Sequence, residues 1–331
     1  MLVIITLIFI VHFILFYSVF RIQNMIIGFL YDNNSAYYTL IETIMRTKYD
    51  SLTKTLGPLA ARLVLTLYEH QRPVFHASEA EKILGDEQKA KRVVSRLVRH
   101  GIATRLKPGM FRLVPFELGF EREHLGNPYV VAREIAMSAR ARARKDLPID
   151  YYLSHGSAFT LHQMTTQPQL IIYTSSPRLI RSRMIHGTEF RFVRCKMSHL
   201  FGIEETWVEK NERVRVSDLE RTLLDGLKQP DYCGGLTEVA KAFSIKRNAI
   251  KPEKLVEYAL KMDIGAVTRR LGFVMEVHRI GSEALLNILR SKLTATYHLL
   301  DPEVPAAGKY LAKWRLRLNV SEEELRTTAV T

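Results

Sequence analysis

Cysteine is nearly absent from this chain. Its 331 residues hold two, Cys195 and Cys233, far apart and outside any Cys-x-x-Cys or Cys/His ligand spacing. That scarcity argues against a disulfide framework and against zinc, and it fits a reducing cytoplasm. GxSxG, GxxxxGK[ST] and GxGxxG are also missing, so neither a nucleophile elbow nor a glycine cradle for phosphate is encoded. No internal repeat and no low-complexity tract occurs. Acidic residues are the other shortage: 34 Asp and Glu stand against 48 Lys and Arg, a formal net charge of +14. Such an excess points to nucleic acid or an anionic surface as partner. A hydrophobic content of 47% is ordinary for a globular protein, and the length allows two or three domains with their own cores.

The positive charge is concentrated. Residues 46–114 carry 14 Lys and Arg against 6 Asp and Glu. Within them, Ala90, Val93, Val94, Leu97 and Val98 share one side of a helical wheel, and Lys89, Lys91, Arg92, Arg96 and Arg99 share the other. One side is built to pack and the other is a cationic ridge. A first helix is expected over Leu56–His70, closed by Pro73. A shorter second follows, with Ser78 and Glu81 as a capping box, and Asp86 caps the ridge helix. After Gly101, Ile102–Leu106 and Met110–Val114 read as two strands around Lys107-Pro108-Gly109, a wing carrying Arg105, Lys107 and Arg112. The expected fold is α+β: an N-terminal winged helix-turn-helix over residues 45–116, then a mixed α/β domain over 149–331 with a helical C-terminal part. A helix of the ridge's kind fits a major groove about 12 Å wide, where Arg reads guanine and Lys or Arg neutralises phosphate. Arg92, Arg96 and Arg99 are the expected groove contacts, with Lys89, Arg105 and Lys107 at the backbone.

Residues 1–44 form an apolar N-terminal extension. Met1–Phe20 lacks any Asp, Glu, Lys or Arg and could span a hydrocarbon core about 30 Å thick. Arg21, Arg46 and Lys48 would then keep the remainder in the cytoplasm, anchored at the inner membrane. The rival reading is a start codon assigned too early, since Met25 and Met45 are in frame; a membrane is a partner only if residues 1–20 are translated. Residues 117–148 read as a basic connector, with Tyr129–Lys145 an exposed helix making further phosphate contacts and Pro148 as its boundary. The two activities are expected to be separable, so that a fragment from Met45 to Lys145 would bind DNA alone.

Beyond the connector, strands are expected at Leu170–Tyr173, Phe190–Arg194, Thr206–Glu209 and Arg213–Val216. Helices follow at Asp218–Leu227, Leu236–Phe243, Pro252–Met262, Val267–Val277 and Ser282–Ser291. His155, Ser157, Asp218 and Asp225 can be assembled on paper into a Ser/His/Asp site, and Asp218, Glu220 and Asp225 into a metal-dependent nuclease. No supporting context accompanies either. Ser217 with Glu220 reads as a capping box. No catalytic residue, metal ligand or cofactor is assigned. The alternatives are a nucleic-acid-cleaving enzyme using the C-terminal carboxylates, or a membrane-tethered transcription factor.

Several phrases occur in a fixed order: Tyr152-Leu153-Ser154-His155-Gly156-Ser157-Ala158 with Leu161-His162, Val216-Ser217-Asp218-Leu219-Glu220-Arg221-Thr222-Leu223-Leu224-Asp225, Gly234-Gly235 with Glu238, and Arg269-Arg270-Leu271-Gly272-Phe273. Over about residues 50–290 the chain thereby resembles the AbiEi-type antitoxins of bacterial type IV toxin-antitoxin (abortive infection) systems. The resemblance implies a winged-helix transcriptional regulator that binds inverted repeats in its own promoter as double-stranded operator DNA. It also implies a C-terminal domain that counters a nucleotidyltransferase-like toxin. His155, Arg221 and Asp225 are expected on the antitoxicity surface. The apolar N-terminus and the longer tail after Lys292 depart from the pattern.

Overall fold

The computed structural model describes residues 56–70, 72–114, 125–137, 150–165, 170–209 and 212–327. The apolar N-terminal helix, the extension to residue 44 and the Arg-rich part of the connector lie outside them. No helix among the described residues is long and apolar enough to cross a membrane. The protein is a mixed α and β chain. Its contacts divide it into two units, one running to Arg72 and including Ala77–Leu97, the other comprising Pro73–His76 and Val98 onward.

The first unit is helical. Helix α1 (Pro58–Glu69) opens on a proline, whose missing N–H costs nothing at that position, and buries Ala60, Ala61, Leu63, Val64 and Leu67. Helix α2 (Ala77–Leu84) buries Ala80 and Leu84. It begins directly after strand β1 (Val74–His76), so Ser78 lies inside the helix and not at its cap. Helix α3 (Glu87–Arg99) buries Ala90, Val94 and Leu97. Asp86 caps it as expected, accepting from Lys89 N at 2.7 Å.

In the second unit, β1 joins the hairpin of β2 (Ala103–Lys107) and β3 (Met110–Leu113) in a sheet ordered β1-β3-β2. Val74 pairs with Arg112 and Phe75 with Phe111, and the register shifts between Arg105 and Lys107. β1 escaped the sequence because three residues after Pro73 are too few for an alternation to register. Helix α4 (Pro128–Ala136), capped by Asn127, buries Val130, Val131, Ala132, Ile135 and Ala136. Residues 128–136 of the connector are therefore core, not exposed spacer. Leu106 and Met110 of the hairpin sit in one apolar cluster with Val131, Ile135, Leu153, Ile172, Phe190 and Val216. The hairpin thus shares its interior with the domain downstream.

That domain is built on strands β4 (Tyr152–Leu153), β5 (Ile171–Ser176), β6 (Arg183–Ile185), β7 (Thr188–Arg194), β8 (Ile203–Glu209) and β9 (Glu212–Ser217), with helix α5 (His155–Leu161) between β4 and β5. The sheet order is β6-β7-β5-β4-β9-β8. β4 runs parallel to β9 and β5 to β7, while the other neighbours are antiparallel. The period-2 alternation sends Leu153, Ile172, Phe190 and Val216 to the face shared with α4, and Tyr152, Tyr173, Ser175 and Arg191 to the opposite face. Helices α6 (Leu219–Lys228), α7 (Leu236–Ile245), α8 (Pro252–Met262), α9 (Gly265–Val277) and α10 (Glu283–Ser291) form a second core. The tail contributes β10 (His298–Leu299), β11 (Lys309–Leu311), β12 (Leu316–Leu318) and α11 (Glu322–Thr327), and its Leu300, Trp314, Leu316 and Leu325 are buried in the core of those helices.

Candidate nucleic-acid interface

Helix α3 turns Lys89, Lys91, Arg92, Arg96 and Arg99 to solvent. The sequence makes this unavoidable: with Ala90, Val94 and Leu97 committed to the core, the cations must occupy the opposite arc. Lys91 lies 3.8 Å from Glu87, an exposed pair of small energetic value. Among the described residues Lys89, Arg92, Arg96 and Arg99 form no ion pair with an acid. Four cations on one helix with no acidic partner among the described residues give that face a concentrated positive potential.

In the hairpin, Arg105 is exposed, and Lys107 is half-buried with Nζ 3.4 Å from the Ile135 carbonyl. Arg112 departs from expectation. It is buried, and its guanidinium packs so closely on Gly126 that a Cβ there would lie 2.0 Å from Cζ. Burial lowers its pKa, with Glu209 and Glu212 partly opposing the shift. In β3 it shares a face with Met110, which is fully buried, so Arg112 belongs to the interior and not to a wing surface.

His155, Arg221 and Asp225 are also not where an interaction surface requires them. Each is about 1% exposed. Arg221 Nε donates to Asp225 Oδ1 at 3.1 Å, its Nη2 donates to the Tyr152 hydroxyl at 2.9 Å, and that hydroxyl donates to Asp225 Oδ2 at 3.2 Å. Burial opposes the charge on both partners, yet each outweighs it for the other: the guanidinium is held above its usual pKa and the carboxyl below. His155 opens α5 in the left-handed region at φ 50°, with Nδ1 2.9 Å from Ser154 Oγ and its ring edge-on to Tyr232. Burial pushes its imidazole down to about 4. The three residues do meet, but beneath the surface. Their spacing carried a sign of this, since Arg221 and Asp225 are four apart on the helix whose Leu223, Leu224 and Leu227 are buried.

The rest of that phrase is structural in the same sense. The N-cap of α6 is Asp218 and not Ser217: its Oδ1 accepts from Arg221 N at 2.9 Å. Ser217 instead shares a 2.7 Å hydrogen bond with Thr222 Oγ1. Lys254 Nζ reaches Asp218 at 3.0 Å and Glu220 at 2.8 Å, and Glu220 also accepts from Lys251 N. In the later phrase, Arg269 donates to the Thr294 carbonyl and Arg270 to those of Leu227 and Leu299. Gly272 admits the ring of Trp314, which would overlap any Cβ. Ser157, the paper nucleophile, accepts from Tyr173 N at 2.8 Å and ties α5 to β5.

Comparison with family models finds no match for the chain, and comparison with curated proteins finds none. Among solved structures, the crystal structure of the RV2827C protein from Mycobacterium tuberculosis is similar, with a TM-score of 0.58 at 14% sequence identity. The similarity covers 78% of this chain and 90% of that one. At that identity the likeness is one of fold.

Proposed function

We propose that the chain is a DNA-binding transcriptional regulator and the antitoxin of a type IV toxin-antitoxin system, without enzymatic activity of its own. On this reading α1–α3, β1 and the β2–β3 hairpin are a winged helix-turn-helix that recognises inverted repeats in its operon's promoter. The domain from residue 149 onward counters a nucleotidyltransferase-like toxin. The observation that carries the DNA half is the solvent-facing row of Lys89, Arg92, Arg96 and Arg99, which has no acidic partner among the described residues. The phrases shared with AbiEi-type antitoxins support the other half.

The carboxylates that a nuclease would need speak for the same reading. Asp218 and Glu220 are engaged by Lys254, and Asp225 by Arg221, so each is committed to a cation already in place. With His155, Arg221 and Asp225 inside, the antitoxic surface has to be drawn from other residues of that domain.

A mobility shift with the full chain and a duplex from upstream of its gene tests the DNA half. Replacing Arg92, Arg96 and Arg99 together by Ala should abolish the shift and release a promoter reporter while leaving the thermal melt unchanged. Co-expression with the adjacent toxin gene and a growth readout tests the other half, where the same triple variant should still protect. Unaltered DNA affinity in the triple variant rejects the DNA reading, and failure of the abundant, folded variant to protect rejects the division of roles.

A further inference from the structure

The cations of α3 fall into two adjoining arcs, with Arg92 and Arg99 about 20° apart at their border. At 100° per residue, Lys89, Arg92 and Arg96 fall within about 60° of one another, and Gln88, Lys91, Ser95 and Arg99 fall within about 80° on the other flank. The structure separates the two rows further. Lys89, Arg92 and Arg96 line a groove of about 340 Å³ whose opposite wall is the start of α1, with Pro58, Leu59 and Ala60. None of the second row lines it.

This groove has the properties of an oxyanion seat. Three cations from one helix line it, and no carboxylate among the described residues does. The guanidinium of Arg92 is steadied by Nε donating to the Gln88 carbonyl at 3.3 Å. The α1 wall has no acidic residue in its first turn and no side-chain cap from Gly57. Leu59 and Ala60, whose N–H groups precede the first helical hydrogen bond, are among the lining residues, and the positive end of the helix dipole adds to the three cations. A tetrahedral phosphate suits such a seat better than a flat base edge, because the cations of one wall and the free N–H groups of the other can meet its oxygens from different sides.

We propose that one phosphate of the DNA backbone seats in this groove. Lys89, Arg92 and Arg96 then position the duplex, while Gln88, Lys91, Ser95 and Arg99 are the row that meets base edges. The assignment rests on the DNA-binding reading above and sharpens it, since Arg92 and Arg96 move from reading sequence to gripping the backbone. The second row also carries the better reading chemistry: Gln pairs bidentately with adenine, Arg with guanine, and Ser with either base type.

The decisive variant is on the other helix. Leu59 is 40% exposed, so Leu59→Glu is sterically tolerated, and a carboxylate in the first turn favours α1 while occupying the seat. The full chain is titrated with a short duplex of random sequence and with a duplex that the wild type selects from a random pool, each over a range of salt. Leu59→Glu should weaken both by the same factor, on the order of tenfold, with a salt slope shallower by about one. Should that variant melt early, Lys89→Gln at an exposed position of α3 reads the same quantity. The Arg92→Lys/Arg96→Lys double variant should keep the base preference and most of the affinity, because a phosphate accepts either cation. Arg99→Lys should lose preference at one base pair, because lysine lacks the fork. Wild-type affinity and salt slope in Leu59→Glu, or an altered base preference in the double lysine variant, would overturn the assignment. A wild-type chain that binds neither duplex rejects the DNA-binding reading itself.

Discussion

Arg221 and Asp225 form an ion pair at 3.1 Å with side chains 1% and 2% exposed, one turn apart on the helix that backs the central sheet. Two charges in so dry a place are stable only together. The Tyr152 hydroxyl bridges them, so that the sheet and α6 are joined by a closed polar triangle. Removing one member leaves the other charged and unsolvated. Asp225→Ala is expected to destabilise the domain by about 3–5 kcal/mol, whereas Arg221→Met with Asp225→Leu, which removes both charges, should cost far less. Urea melts of the single and double variants check this, and equal losses would show that packing and not charge is at stake.

His155 gives the fold an acid limit. Its folded pKa of about 4 lies below the ordinary 6.5, so the unfolded chain binds the proton first. The stability it contributes is complete above pH 6.5 and is lost as pH falls toward 4, by about 3 kcal/mol in all. Asp225, whose carboxyl is held below its usual range, adds its own loss only further down. Buried His199, with a lowered pKa, titrates in the same sense, so the test is a difference. His155→Asn keeps a residue tolerant of positive φ and should flatten the dependence between pH 7 and 4.5. An undiminished slope in that variant assigns the acid sensitivity elsewhere.

Gly272 has no room for a side chain. The nearest ring atom of Trp314 would lie 2.0 Å from a Cβ, and Trp314 is held in turn by Nε1 donating to Glu276 at 2.6 Å. Gly272→Ala should therefore destabilise despite the better helix propensity of alanine, by more than about 1 kcal/mol. Near-ultraviolet circular dichroism of the tryptophans together with a thermal melt would show it. The same variant in a Trp314→Leu background should recover part of the loss.

The hairpin predicts the behaviour of fragments. Leu106 and Met110 have their apolar partners in α4 and in strands β4, β5, β7 and β9. A piece ending at Lys145 retains the hairpin but loses those strands. It is expected to melt broadly, bind hydrophobic dye and associate, in contrast to the full chain. A sharp, dye-free melt of the fragment would mean that the hairpin finds another cover.

Most helices were legible because their apolar residues recur at helical spacing over ten or more residues; Pro252–Met262 coincides at both ends, and Ser282, expected as the first residue of its helix, is its N-cap. Of the long strands, β7 was legible as an alternation and β5 as an apolar run, though β5 continues through three polar residues, Thr174–Ser176, that no hydrophobic pattern includes. Strands of two or three residues, such as β4 and β6, were not, because pairing and not local pattern defines them. The ridge of α3 could be read directly, since amphipathicity reports which side is wet. Direction within the second domain could not: the polar phrase around Arg221 looked like a surface because its charges neutralise one another only after folding. Arg112 gave no sign of burial because its cover comes from Gly126, a contact that no local pattern records.

The placement of Trp314 also orders events in time. The ring that fills the slot above Gly272 belongs to a segment the ribosome makes well after α9, so the helical layer waits for the tail before it can close. A message cut short before Trp314 yields a chain with every phrase of the second domain present and its core still open, ready for proteases and not for a partner.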